Sequence, residues 1–128
     1  MQKEAEYNWA QARADLATAV TLRDAGIYYA SVFFAQQAAE KALRAASVES
    51  LHKNPKGHNL ISSANLLNAP LNVMNAAAEL NADFLSTRSP EAVDAIPSQL
   101  YDAPSAAVHL RAAEVIVNWV RATVVTMS

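Results

Sequence analysis

The stretch of sequence that decides the fold is Phe33-Phe34-Ala35-Gln36-Gln37-Ala38-Ala39-Glu40-Lys41-Ala42-Leu43-Arg44. At about 100° per residue, Gln36, Glu40 and Arg44 fall on one line of a helix, and Gln37 and Lys41 lie one line over. Alanine fills most of the remaining positions, and such small side chains let neighbouring helices approach closely. We therefore expect the central helix of a bundle, with a narrow polar stripe that faces a cleft or a partner.

The composition favours a single all-α domain over residues 1–128. This length is sufficient for a hydrophobic core, and runs of β-branched and aromatic residues at period two are absent. The chain has no cysteine, which excludes disulfides and thiolate metal sites. The N-terminal residues do not show a basic region followed by an apolar run, and no segment approaches the roughly 20 apolar residues of a membrane span. We therefore expect a cytoplasmic protein without membrane contact.

The charge balance argues against an extended nucleic-acid groove. Ten basic and twelve acidic side chains give a formal net charge of -2. A groove that follows a nucleic acid usually has a basic surplus. A small local binding site remains compatible with this composition.

Apolar periodicity predicts five helices, and the first two should pack antiparallel because the turn at Gly26 is short. Asp102 is the expected cap of the last helix, with Pro104 in its first turn. Two segments lack periodicity and are predicted to be loops, residues 47–57 and 86–103, the second of them functional or mobile. The predicted helices span about residues 4–24, 27–46, 59–67, 71–85 and 104–125.

Two of these helices have faces that indicate what they pack against. The last helix has two apolar lines, which indicates burial by its own bundle and by another subunit. Outside the inward line of the first helix, or at its end, lie Arg13, Asp15 and Arg23. That line consists of Ala5, Trp9, Ala12, Leu16 and Ala19.

One stretch of the sequence is specific enough to suggest a family: residues 26–43, which read GIYYASVFFAQQAAEKAL. Weaker signals are Gly57-His58-Asn59-Leu60, Arg88-Ser89-Pro90 and the final helix through Trp119. In these segments the sequence resembles the HEPN domain family, named for higher eukaryotes and prokaryotes nucleotide-binding. The resemblance implies an up-and-down bundle of about five helices that commonly forms a symmetric homodimer. It also implies a separate minimal nucleotidyltransferase as partner, in a two-component system of the toxin–antitoxin type.

Some family members cut RNA with an arginine followed, after four to six residues, by a histidine. This chain lacks that motif, since seven residues separate Arg44 from His52 and no other arginine has a histidine just downstream. Ser89 also stands where related members have the tyrosine of Arg-Tyr-Pro. Whether the protein is an enzyme is therefore left open.

The polar stripe and the resemblance together indicate a binding site for a nucleotide or an RNA end. An alternative for the stripe is a solvated or interface face, in which Glu40 and Arg44 form an ordinary i,i+4 pair. No cofactor is fixed by the sequence beyond such a nucleotide. The candidate site residues are Gln37, Glu40, Lys41, His58, Arg88 and Tyr101.

His58 and Arg88 are also the candidate catalytic residues. His58 has the side-chain type of a phosphate ligand or an acid–base group, but the alternative is an anchor that hydrogen-bonds its loop. Arg88 suits a bidentate phosphate contact, whereas the structural alternative is an ion pair with Glu40 or Asp94. For Trp9, Phe34 and Trp119 we expect core positions. His52 and His109 have no partner at metal-ligand spacing, so no metal site is predicted.

Three functions follow, in order of preference. The first is a dimeric HEPN-type partner of a nucleotidyltransferase that binds a nucleotide or RNA end between the second helix, His58 and Arg88. The second is a metal-independent ribonuclease in which these two residues replace the missing motif. The third is a structural homodimer with a degenerate site.

Overall fold

The computed structural model describes residues 1–126, and every regular element in this range is helical. Five helices have seven or more residues, so the predicted all-α class with about five helices is confirmed. The α-helices are α1 (Lys3–Asp24), α2 (Tyr28–Leu51), α3 (Leu60–Leu66), α4 (Leu71–Asn81), α5 (Asp83–Ser86), α6 (Pro90–Val93) and α7 (Ala103–Val120). A 3₁₀ turn at Pro97–Gln99 precedes α7, and a π-helical turn at Arg121–Val125 follows it.

Helices α1 and α2 form the predicted antiparallel hairpin. Gly26 ends α1 with a φ of +76°, a conformation that side chains other than glycine rarely adopt. Near this turn Ser31 Oγ donates to the carbonyl of Ala19 at 2.7 Å, and at the far end Gln2 N donates to Glu49 Oε1 at 2.8 Å. The chain therefore reverses direction completely within three residues.

Helix α2 is longer than its sequence pattern predicts. The predicted loop at residues 47–57 is wrong for its first five residues, which continue the helix to Leu51. Ser47 and Val48 are buried against the bundle, so packing outweighs the polar composition of the segment. The helix ends at His52, whose φ is +54° and whose N–H donates to the carbonyl of Val48.

The second half of the chain also departs from the predicted boundaries. Helix α4 ends at Asn81 rather than Leu85, and the separate short α5 follows. The segment 86–103 contains α6 and the 3₁₀ turn, so it is not without regular structure. The last helix begins as predicted, because Asp102 and Ser105 form a capping box.

Helix α2 is the centre of the bundle and packs against α1, α3 and α7. The alanines of its decisive stretch, Ala35, Ala38, Ala39 and Ala42, are fully buried. Trp9 is buried as predicted, and Phe34 and Trp119 are partly buried against the core. Over the described residues, the helices are all too short or too polar to cross a membrane.

Candidate functional site

The polar side chains of α2 continue a hydrogen-bond network that starts on α1. Gln11 Nε2 donates to Asp15 Oδ1 at 2.9 Å. Lys41 Nζ donates to Asp15 Oδ2 at 3.2 Å and to Gln37 Oε1 at 3.0 Å. Asp15 lies outside the predicted inward line but is only 4% exposed, so Lys41 is the ion-pair partner of a buried carboxylate.

The network runs on along α2 toward the segment before α3. Gln37 Nε2 donates to Gln36 Oε1 at 2.7 Å, and Gln36 Nε2 donates to Glu40 Oε1 at 3.2 Å. Glu40 also accepts from Arg44 at 3.3 Å, and its Oε1 lies 2.8 Å from His58 Nδ1. We call the five side chains Gln36, Gln37, Glu40, Lys41 and Arg44 the polar face of α2.

The polar face is buried at Gln36 and Glu40 and partly exposed at Lys41 and Arg44, and Glu40 and Arg44 form the i,i+4 pair that the alternative interpretation describes. Gln36 is 0% exposed and Glu40 is 7% exposed. Buried polar groups need hydrogen-bond partners, and the i,i+4 spacing of Gln36, Glu40 and Arg44 supplies them within the helix. Arg44 Nε is an exception, since it is buried and has no partner within residues 1–126.

His58 connects its loop to the polar face of α2. Its ring stacks on Phe84 with 3.5 Å between the ring centroids and an angle of 16° between the planes. The side chain is 44% exposed, while its Glu40 partner is nearly buried. The helix cap is the next residue, because Asn59 accepts from Ser62 N at 3.0 Å. His58 is thus an anchor of its loop, as the structural alternative predicts, and it also has a carboxylate partner.

Arg88 lies on aromatic rings instead of pairing with a carboxylate. Its guanidinium carbon lies 4.0 Å from the ring centroid of Phe84 and 4.4 Å from that of Phe33. Its NH1 donates to the carbonyl of Phe84 at 3.1 Å. Within the described part of the chain it forms neither of the two predicted ion pairs, with Glu40 or with Asp94. Burial lowers the pKa of Arg88, and the charge of Glu40 acts in the opposite direction.

A second polar cluster, which we call the Asp83 cluster, consists of Asp83, His109, Tyr101 and Glu79. Asp83 is 3% exposed and accepts from the Tyr101 hydroxyl at 2.7 Å. His109 Nδ1 is hydrogen-bonded to the other oxygen of Asp83, and Nε2 lies 3.6 Å from Glu79 Oε1. Tyr101, a predicted ligand residue, is therefore bonded in this cluster and not to the polar face of α2.

The ionisation of the Asp83 cluster follows from these contacts. Burial by itself would lower the pKa of His109, but the hydrogen bond to Asp83 and the charges of Asp83 and Glu79 outweigh it, and the pKa is raised. Burial and the bond to Asp83 also raise the pKa of Tyr101. The cluster therefore favours an imidazolium between two carboxylates. No group of three or more potential ligands within residues 1–126 is placed to hold a metal ion.

The predicted site coincides with neither of two surface cavities. Two surface cavities, of about 460 Å³ and about 230 Å³, lie elsewhere, and neither is lined by a predicted site residue. The first is formed mainly by α1 around Trp9, and the second lies beside Trp119. A ligand at the polar face of α2 would thus bind outside both of these cavities.

Comparison with known families decides the assignment. The model of the HEPN domain family matches residues 5–123, which is nearly the whole chain. The chain belongs to the HEPN domain family.

Solved structures agree with this HEPN assignment. The protein TT1696 from Thermus thermophilus is 28% identical and superimposes with a TM-score of 0.86, over 94% of this chain and 98% of that one. ST0689, described as an archaeal HEPN homologue, is 27% identical, with a TM-score of 0.81 over 95% and 98% of the two chains. No curated protein matches the sequence significantly.

Within this HEPN domain the structure joins most of the predicted site residues. Gln37, Glu40, Lys41 and His58 belong to one network, and Arg88 meets it through the Phe84 ring that His58 also contacts. Asp15 was missed, although it lies three residues after Ala12 and four before Ala19, which is the spacing of the buried line. Asp83 and His109 were missed because no local pattern brings residues 26 positions apart together.

Proposed function

We propose that this HEPN-domain protein binds the phosphate of a nucleotide or of an RNA end at the surface framed by the polar face of α2, His58 and Arg88. The observation that carries the proposal is the position of Arg88. Its guanidinium is supported by the rings of Phe33 and Phe84, and it has no carboxylate partner in the described residues. The charge of Glu40 acts on this guanidinium without forming an ion pair within residues 1–126, so an anion such as phosphate can pair with it.

The chemistry of the two side chains suits a phosphate oxygen. A guanidinium presents planar donors that contact phosphate bidentately, and stacking on aromatic rings restricts its orientation. His58 adds an exposed imidazole whose orientation is fixed by Glu40 and Phe84.

The protein works, in this proposal, as a homodimer that pairs with a separate minimal nucleotidyltransferase in a toxin–antitoxin-type system. Membership of the HEPN family supports this partnership. Several large apolar side chains that are exposed on the chain, among them Leu66, Leu71, Ile96 and Val108, are compatible with protein contacts.

One observation favours metal-independent ribonuclease activity as a second candidate. Glu40 and His58 form a carboxylate–imidazole pair, the arrangement that orients a general base. Arg88 would then stabilise charge at the scissile phosphate. The missing arginine–histidine motif counts against this candidate.

Binding of ATP and of a short 5′-phosphorylated single-stranded RNA to the purified full chain tests the phosphate site. Arg88→Ala and His58→Ala should each weaken binding by about tenfold or more, because each removes a donor to the phosphate. Arg111→Ala removes the same charge from an exposed position of α7 and should bind like the wild type. Unchanged binding by Arg88→Ala, with helical content intact, would overturn the site assignment.

Two further readouts separate the alternatives. The RNA should stay intact in a metal-free reaction, and its cleavage by the wild type but not by His58→Ala would favour the ribonuclease. A tagged pull-down from the native host should recover a stoichiometric nucleotidyltransferase. If neither a partner nor a ligand is recovered, the structural homodimer with a degenerate site is the better account.

A further inference from the structure

Helix α5 lies between the Asp83 cluster and the predicted binding surface. Asp83 and Phe84 are neighbours in the chain, but their side chains belong to different sets of contacts. Asp83 is bonded to Tyr101 and His109, whereas Phe84 contacts the ring of His58 and the guanidinium of Arg88.

Helix α5 has little intrinsic stability of its own. It is four residues long and has no side-chain cap at its N-terminus. Isolated helices of this length are not stable in water, since nucleation is costly and each helix end leaves backbone groups unpaired. Its position therefore depends on its junction with α4 at Ala82 and on tertiary contacts, of which its first residue, Asp83, provides the buried polar ones.

We propose that Asp83, His109 and Tyr101 position the binding surface: they hold α5 so that Phe84 keeps His58 and Arg88 in place, and loss of the His109 proton loosens this hold. The consequence for ligand binding rests on the proposed function. The link from His109 through Asp83 and Phe84 to His58 does not rest on the proposed function, because it follows from contacts within the chain.

The charges around His109 give the direction of the effect. The titratable groups that face its ring are Asp83 on α5, Glu79 on α4 and Tyr101 before α7. Within residues 1–126, α1 and α2 contribute no ion pair or hydrogen bond to the ring. When His109 is protonated, it is a charged partner of both carboxylates. When it loses the proton, the buried Asp83 side chain keeps the Tyr101 hydroxyl as its strong donor, and its attachment to α7 weakens.

A histidine NMR titration of the full chain, without ligand, tests the link. The sequence has three histidines, so single His→Gln variants assign their ring signals. His58 is a built-in reporter, because its ring protons lie over the face of Phe84 and sense any movement of that ring. His52, exposed and hydrogen-bonded to Gln2 at the end of α2, is the internal control.

We expect the His58 signal to shift in two steps, of which the second follows the protonation of His109. His52 should lack the second step. Glu79→Gln removes an exposed carboxylate next to His109, so the His109 titration and the second His58 step should move together to lower pH. Glu91→Gln on α6 is the matched control and should move neither.

Two results would overturn the proposal. One is a His58 titration with a single step in the wild type. The other is a second step that stays in place when Glu79→Gln moves the His109 titration. His109→Gln should abolish the second step of the His58 titration. If that variant does not fold, the comparison of the wild type with Glu79→Gln is sufficient to test the proposal. Because no ligand is present, a failure of phosphate binding in Arg88→Ala leaves this outcome unaffected, and the two ideas fail separately.

Discussion

Oε1 of Glu40 lies 2.8 Å from Nδ1 of His58, although the carboxylate is nearly buried and the imidazole is almost half exposed. Glu40 also accepts from Gln36 and Arg44, so it connects the polar face of α2 to the loop before α3. A buried carboxylate with three donors is stabilised by all of them together. Loss of this one side chain should therefore affect both the stability of the helix packing and the orientation of His58.

The first prediction is that Glu40→Ala destabilises the fold by about 3–5 kcal/mol, the range for removing one partner of a buried polar network. The variant leaves the buried Gln36 amide and the Arg44 guanidinium without their acceptor. Urea unfolding followed by circular dichroism measures the change. Arg111→Ala, at an exposed position, should change stability by less than about 0.5 kcal/mol. Equal stability of Glu40→Ala and the wild type would show that the network is not formed in solution.

Periodicity in the sequence predicts much of this fold. Four of its features each depend on residues within one or two helical turns of each other. They are the inward line of α1, the turn at Gly26, the polar line of α2 and the Asp102 cap. Local rules of this kind need no knowledge of tertiary neighbours. They fail where packing decides, as at residues 47–51, which have a polar sequence but complete α2 because Ser47 and Val48 are buried.

The candidate site is predictable only in part, for the same reason. The i,i+4 line of Gln36, Glu40 and Arg44 is visible in the sequence, but the direction in which it faces is not. For Arg88 the sequence leaves a phosphate contact and an ion pair as equal alternatives, whereas its place on Phe33 and Phe84 depends on how α5 approaches α2. The Asp83–His109 contact depends in turn on where the packing of α5 against α2 and α4 places Asp83 relative to α7, which no local pattern encodes.

The second prediction concerns Lys41, a candidate ligand residue whose observed role is to pair with buried Asp15. Lys41→Ala should destabilise the protein by about 1–3 kcal/mol, a smaller loss than at Glu40 because the lysine is itself partly exposed. The double variant Asp15→Ala plus Lys41→Ala removes both charges and should be less destabilised than the sum of the single variants. Chemical denaturation of the four proteins gives this coupling, and additive losses would contradict the pair. Lys41→Ala is consequently a poor probe of ligand binding, since it changes stability as well.

The third prediction is a stability profile with a pH dependence that originates at His109. Its pKa is higher in the folded protein than the unfolded value of about 6.5. Its contribution is therefore fully present below about pH 6.5 and is lost as the pH rises through the higher folded pKa. Thermal unfolding between about pH 5 and about pH 9 should show this decline in the wild type and a flatter profile in His109→Gln. If the two profiles run parallel, His109 does not have a raised pKa in the folded state.

The last prediction is that Arg88→Lys weakens phosphate binding by about tenfold, although it keeps the positive charge. A lysine ammonium is compact and strongly hydrated, so it neither stacks on Phe33 and Phe84 as a guanidinium does nor presents two parallel donors. Arg111→Lys is the matched control and should bind like the wild type. Fluorescence anisotropy with a labelled 5′-phosphorylated RNA at about 50 mM and about 200 mM salt measures the effect and its electrostatic part. If Arg88→Lys binds as tightly as the wild type at both salt concentrations, charge alone is sufficient, and the aromatic support of the guanidinium has no part in binding.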